Sequence, residues 1–151
     1  MNQSGKQTEL DLRLLRVLMN SSKSLFELIK SDVNNYGLDL DTFQILEFLY
    51  NKGPHPIQKI GEKFAIPSGS VTYVVDKLEK KGLIRREPSP CDRRVIIAKL
   101  TDAGQSLFDD IFPRHTDSIA NVFSVLTDEE KHQLTELLKK MGLNAADKLS
   151  G

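Results

Sequence analysis

A chain of 151 residues with 39% hydrophobic and 28% charged side chains is long enough to bury one core and has an ordinary globular composition. Its 21 cationic and 21 acidic residues cancel, so net charge by itself selects no class of partner. A single cysteine excludes an internal disulfide, no run of about 18 apolar residues is present, and the polar start MNQSGKQTEL is no signal peptide; a cytoplasmic protein without a membrane partner is expected.

Between about Glu9 and Asn35 there is no proline or glycine, and Leu14, Leu18, Leu25, Leu28 and Ile29 recur at helical spacing. This predicts one long amphipathic helix, ended near Tyr36 and Gly37. Leu10, Leu12, Leu15, Val17 and Met19 add apolar surface outside that stripe, more than one partner element needs, so a second chain is expected. Asp39 is the N-cap of a second helix that buries Phe43, Ile45, Leu46, Phe48 and Leu49 and stops at Lys52-Gly53-Pro54. Pro56 fits the first turn of a short third helix running through Ile60 to Phe64. Ala65-Ile66-Pro67 reads as a tight turn, and Ser68 as the N-cap of a fourth helix ending at Lys81-Gly82.

Strand-like segments follow near Leu83–Arg86 and Val95–Leu100. Thr101 then caps a fifth helix that Pro113 should kink or break. Thr127 with Glu130 forms a capping box for a last helix through Leu134, Leu137, Leu138 and Met141 to Gly142. The expected fold is mainly α with a small β-wing, in the order ααααββαα. Residues 1–37 and 101–151 would supply dimerisation helices, and residues 38–100 a winged helix-turn-helix lobe.

Within that lobe, Ile57, Ile60 and Phe64 form one apolar stripe, Val71, Val75 and Leu78 the stripe facing it, and Ile66 plugs the turn between them. Gly61 falls where the two helices would approach most closely. The opposite face of the fourth helix is small or polar: Ser68, Gly69, Ser70, Thr72, Tyr73, Asp76 and Lys77. A major groove admits such a helix, its side chains can bond base edges, and its N-terminus can meet a phosphate. Ser70, Thr72 and Tyr73 are the expected base contacts, and Ser68 and Lys77 the expected phosphate contacts. From Ser68 to Lys99 eight Lys or Arg face four Asp or Glu, a local excess of four on a neutral chain.

The segment between the strands contains SPCDRR, Ser89 to Arg94. Arginines at a hairpin tip suit the narrow, electronegative minor groove. Arg94 is the expected groove contact, Asp92 its orienting carboxylate, and Arg93 a looser phosphate contact. Cys91, the redox candidate, is favoured for reactivity by exposure and the two arginines, and disfavoured by Asp92. No second cysteine is present to resolve an oxidised thiol, so an inert Cys91 and a sensing Cys91 both stand. His55, His115 and His132 are isolated and read as surface or interface residues, so no catalytic site, metal or cofactor is expected.

The runs SGSVTYVVDKLEKKGLIRR and DRRVIIAKLTDAG together resemble the MarR family of transcriptional regulators over essentially the whole chain. The family's wing signature maps onto Asp92, Arg94, Leu100, Thr101 and Gly104. The resemblance implies a homodimeric winged-helix regulator, not an enzyme, that binds palindromic double-stranded operators, with the first and last helices intertwined between subunits. The stretch SGSVTYVVDKLEKKG further resembles the quinone-responsive subgroup. That implies a repressor released by a small aromatic or electrophilic effector, held between the dimerising helices and the DNA-binding lobe, where Met19, Phe26, Phe43 and Phe48 would border it. The competing readings are a winged-helix protein-interaction module and a thiol-based repressor switched through Cys91.

Overall fold

A computed structural model describes residues 3–64 and 68–151. Helix α1 (Gln3–Asn34) is followed by α2 (Leu40–Lys52), a two-residue strand β1 (His55–Pro56), α3 (Ile57–Phe64) and α4 (Ser68–Lys80). The hairpin β2 (Ile84–Pro88) and β3 (Ile96–Leu100) leads into α5 (Asp102–Phe123) and α6 (Asp128–Ser150). The chain divides into two units, one through His115 and one from Thr116.

The first unit holds the core. Phe43, Ile45, Leu46 and Leu49 of α2 are buried with Ile60 of α3, with Val71, Val74, Val75 and Leu78 of α4, and with Ile84, Ala98, Phe108 and Ile111. The facing stripes of α3 and α4 are thus as the periodicity requires, with Val74 joining them and Gly61 buried between. The turn expected at Ala65-Ile66-Pro67 lies outside the described residues. Asp39 caps α2 as expected, its Oδ1 accepting the Thr42 N–H at 2.8 Å.

Several boundaries differ from the sequence reading. α1 starts six residues before Glu9, because Gly5 and its polar neighbours do not interrupt it. Pro56 lies in β1 rather than in α3: His55 pairs with Ala98 and Pro56 with Ile97, so β3 is the middle strand of three. A proline is tolerated there because β1 is an edge strand. The order therefore gains a strand between the second and third helices. Ser68 is the first residue of α4 rather than the cap before it. α5 runs on through Pro113, and α6 runs on through Gly142. Among the described glycines, positive φ is confined to Gly37, Gly53 and Gly82, and each follows a helix. His115 is buried, not on the surface. Its Nδ1 lies 2.9 Å from Asp32 Oδ2, and Asp32 also accepts the Tyr36 hydroxyl, so the polar ring is satisfied inside the unit.

α4, the wing and α5 meet at one point. Gly82, at φ 72°, reverses the chain after α4; its N–H donates to Glu79 O and the Leu83 N–H to Leu78 O, the paired bonds of a Schellman turn. The Leu83 carbonyl then accepts the Thr101 N–H at 3.1 Å. The Thr101 hydroxyl donates to Gly82 O at 2.5 Å and accepts the Gly104 N–H at 3.1 Å. Gly104 passes so close that a Cβ there would lie 2.1 Å from the Leu83 carbonyl oxygen.

The second unit is built differently. A full capping box between Thr127 and Glu130 starts α6, yet no residue from Thr116 onward is buried. α1 in turn buries only Val33. None of the described helices is long and apolar enough to cross a membrane.

Replacing Gly104 by alanine must push apart the α5 start and the Leu83 carbonyl. The expected cost is about 2 kcal/mol or more, as for an overpacked core site. It should be read as a lower urea midpoint at unchanged slope; an unaltered midpoint would refute the close approach.

Candidate nucleic-acid interface

α4 has two faces with different fates. Val71, Val74, Val75 and Leu78 lock it into the core, while Gly69, Ser70, Thr72, Tyr73 and Asp76 are exposed on the other side. Tyr73 keeps 69% of its surface open, which is unusual for an aromatic residue on a helix otherwise held by four buried aliphatics. Ser68 opens the helix, and nothing is described of its side chain.

The wing tip is tightly tied. Ser89 N–H donates to Val95 O at 2.8 Å, and Val95 N–H to Asp92 O at 3.0 Å. Asp92 then holds Arg94 three ways: Oδ1 accepts the backbone N–H at 3.1 Å and Nε at 3.2 Å, and Oδ2 accepts Nη2 at 3.4 Å. The Arg94 side chain remains 91% exposed, so this fork is presented outward rather than packed away. Arg94 correspondingly holds the Asp92 carboxyl below the usual carboxylate range, through its side chain first and its backbone N–H second. Arg93 and Cys91 are exposed beside it.

Ion pairs decide which cations of the lobe are available. Arg86 of β2 reaches back to α4, with Nη2 2.5 Å from Asp76 and Nη1 3.0 Å from Glu79, while its backbone N–H donates to the other Glu79 oxygen. This clamp joins wing to helix and engages Asp76 of the exposed α4 face. Lys77 is likewise engaged, 2.6 Å from Asp39 of the α2 cap, and Arg85 pairs with Glu87. Of the eight cations between Ser68 and Lys99, Lys80, Lys81, Arg93 and Lys99 have no carboxylate at ion-pair distance among the described residues.

A family model described as MarR family matches residues 38–96. The chain is 46% identical over 138 residues to the HTH-type transcriptional regulator MhqR of Bacillus subtilis (strain 168), covering 91% of this chain and 95% of that protein. The chain belongs to the MarR family. It is also 41% identical over 140 residues to YkoM, an HTH-type regulator of the same organism, covering 93% and 91% of the two chains. Among solved structures, AbsC, a MarR family transcriptional regulator from Streptomyces coelicolor, superposes with a TM-score of 0.80 at 19% identity over 97% of each chain. A mutant MarR from E. coli complexed with operator DNA gives 0.74 at 22% identity, over 85% of this chain and 93% of that one. At such identities the structures speak for the fold alone. These MarR-family relatives are DNA-binding transcriptional regulators rather than enzymes.

The MarR wing signature now has a physical content. Asp92 and Arg94 are one hydrogen-bonded unit, Thr101 caps α5 while binding the α4 turn, and Gly104 is where a side chain would strike the Leu83 carbonyl. The four residues assigned to an effector site have different surroundings. Phe43 is in the core, its ring 5.4 Å from Phe108 and 4.7 Å from His115. Phe48 is half-buried against His55 and Phe64 instead. Met19 and Phe26 are exposed on α1. Sequence reasoning missed the Arg86 clamp and the placement of Asp39 beside α4. Asp76 and Glu79, three apart on one helix face and just before a strand that carries Arg86, were the available signal for the first.

Proposed function

We propose that this chain is a homodimeric repressor that binds a palindromic operator through α4 and the wing and is released by a small aromatic or electrophilic effector. The observation that carries the DNA-binding mode is the pairing of an exposed polar helix face with an outward, pre-formed Arg94–Asp92 fork next to it. Ser70, Thr72 and Tyr73 read base edges, the α4 start at Ser68 and Lys77 lie towards phosphates, Arg94 enters the minor groove, and Arg93 touches the backbone.

Dimerisation is supported by where the apolar surface is left. Leu10, Leu14, Met19 and Phe26 on α1, and Leu134, Leu137, Leu138 and Met141 on α6, are all at least 40% exposed. In the second unit, Ile119, Phe123, Leu134 and Leu138 line an apolar groove of about 340 Å³. Two copies covering these faces follow the preference of soluble chains for closed twofold assemblies. Effector release rests on the resemblance of SGSVTYVVDKLEKKG to the quinone-responsive subgroup.

Arg94→Ala should weaken operator binding by about 1.5–3 kcal/mol, roughly ten- to a hundredfold. Asp92→Ala should also weaken it, although it removes a negative charge near DNA; tighter binding at matched salt would sink the orienting role. The dimer should persist in sedimentation equilibrium at micromolar concentration, and a monomer unchanged by dilution would contradict it. In a panel of phenols and quinones, at least one should lower operator affinity with a coupling of about 1–3 kcal/mol. Cys91→Ser should retain that response if the ligand binds non-covalently and lose it if the thiol is the sensor; indifference to every compound would leave a repressor without this class of effector.

A further inference from the structure

Asp39 does two things at once. Its Oδ1 takes the Thr42 N–H at 2.8 Å and so caps α2, while its Oδ2 holds the Lys77 ammonium at 2.6 Å. The carboxylate cannot turn away from the lysine without giving up the cap. Burial opposes its ionisation, but the hydrogen bonds from Lys77 and Thr42 outweigh this and bring its pKa from 3.8 to about 2, so it is charged at any physiological pH.

The pair sits at the reading face. A hollow of about 300 Å³ between the α2 start and α4 is bordered by Asp39, Asp41, Ser70, Tyr73 and Lys77. An ammonium already held by Asp39 therefore lies beside the residues assigned to base contact, and Asp41 lines the same hollow. A phosphodiester approaching Lys77 finds its charge already neutralised by Asp39. Coulomb repulsion between a phosphate and a carboxylate at short range is only partly screened by salt.

Resting on the reading that α4 faces DNA, we propose that Asp39 is a built-in competitor for phosphate at Lys77, which lowers the sequence-independent part of DNA affinity. Discrimination between sequences is then left to the polar face of α4 and to the wing, because quenching one backbone contact weakens every duplex alike.

Asp39→Asn tests this cleanly, since asparagine caps a helix about as well as aspartate while losing the charge. Affinity for an operator duplex and for a scrambled one should be measured across a salt series. Both should tighten about three- to tenfold at low salt, with the slope of log affinity against log salt steeper by about one. Adding Lys77→Gln to Asp39→Asn should abolish the gain in affinity and in slope, because the freed ammonium is what produces both. Asp39→Ser, another capping residue, replaces Asp39→Asn if thermal melting shows the latter misfolded. Equal or weaker binding by the folded variant overturns the proposal and makes Asp39 either an orienter of Lys77 or a purely structural cap. Arg94→Ala in the same assay separates the two levels. If it weakens binding while Asp39→Asn does not tighten it, only the competitor role falls. If neither Arg94→Ala nor a Tyr73 substitution changes binding, the placement of α4 on DNA falls with it.

Discussion

The placement of α4, the wing and the start of α5 is referred to the two peptide groups of Gly82 and Leu83. The carbonyl of Gly82 accepts from the Thr101 hydroxyl, and that of Leu83 accepts from the Thr101 N–H. Gly104 packs against the same Leu83 oxygen from the start of α5. The end of α4, the base of the wing and the start of α5 are thus fixed by hydrogen bonds to two adjacent carbonyls. These bonds tie the end of α4 to the base of the wing. Arg86 adds a second tie a few residues on, through Asp76 and Glu79. A clamp of two carboxylates on one guanidinium is directional, so β2 is held in register with α4 as well as attached to it.

The two units solve the hydrophobic problem in opposite ways. The first closes a core around Phe43, Phe108, Ile60 and Val75, with aromatic rings tilted against one another and a buried His115–Asp32 pair satisfied internally. The second has helices with good caps and apolar residues at helical spacing, and buries none of them. Propensity and capping form a helix; only a facing surface stabilises it strongly. The stretch from Thr116, and most of α1, carry apolar residues that remain exposed in the single chain.

Charge follows a similar economy. The chain is neutral, and within the lobe every acidic residue from Asp76 to Asp92 is spent on an arginine. Cations are thereby sorted into those that position structure, such as Arg86, and those presented outward. Arg94 belongs to both groups, since its partner Asp92 fixes the side chain without burying it. Lys77 is drawn towards the first group by Asp39, a residue 38 positions away.

Much of this was legible from residues alone. Periodicity placed α1, α2 and the facing stripes of α3 and α4, because core burial demands a 3.6-residue repeat whatever the partner. Capping chemistry placed Asp39, Thr101 and Thr127, and the two-residue spacing of Asp92 and Arg94 lies within reach of a single local hydrogen bond. The strand at His55–Pro56 was not legible, since two residues carry no period and its pairing with Ala98 and Ile97 is long-range. Helix breakers misled for a different reason: Pro113 and Gly142 carry only a local cost, and the helical residues on either side continue through both. Partners distant in sequence, Asp39 with Lys77, Asp32 with His115, and Gly104 with the Leu83 carbonyl, exist only because packing brings their helices together. Sequence determined which faces are apolar and which are polar; tertiary structure decided which charges meet, because ion pairing depends on separation in space and not along the chain.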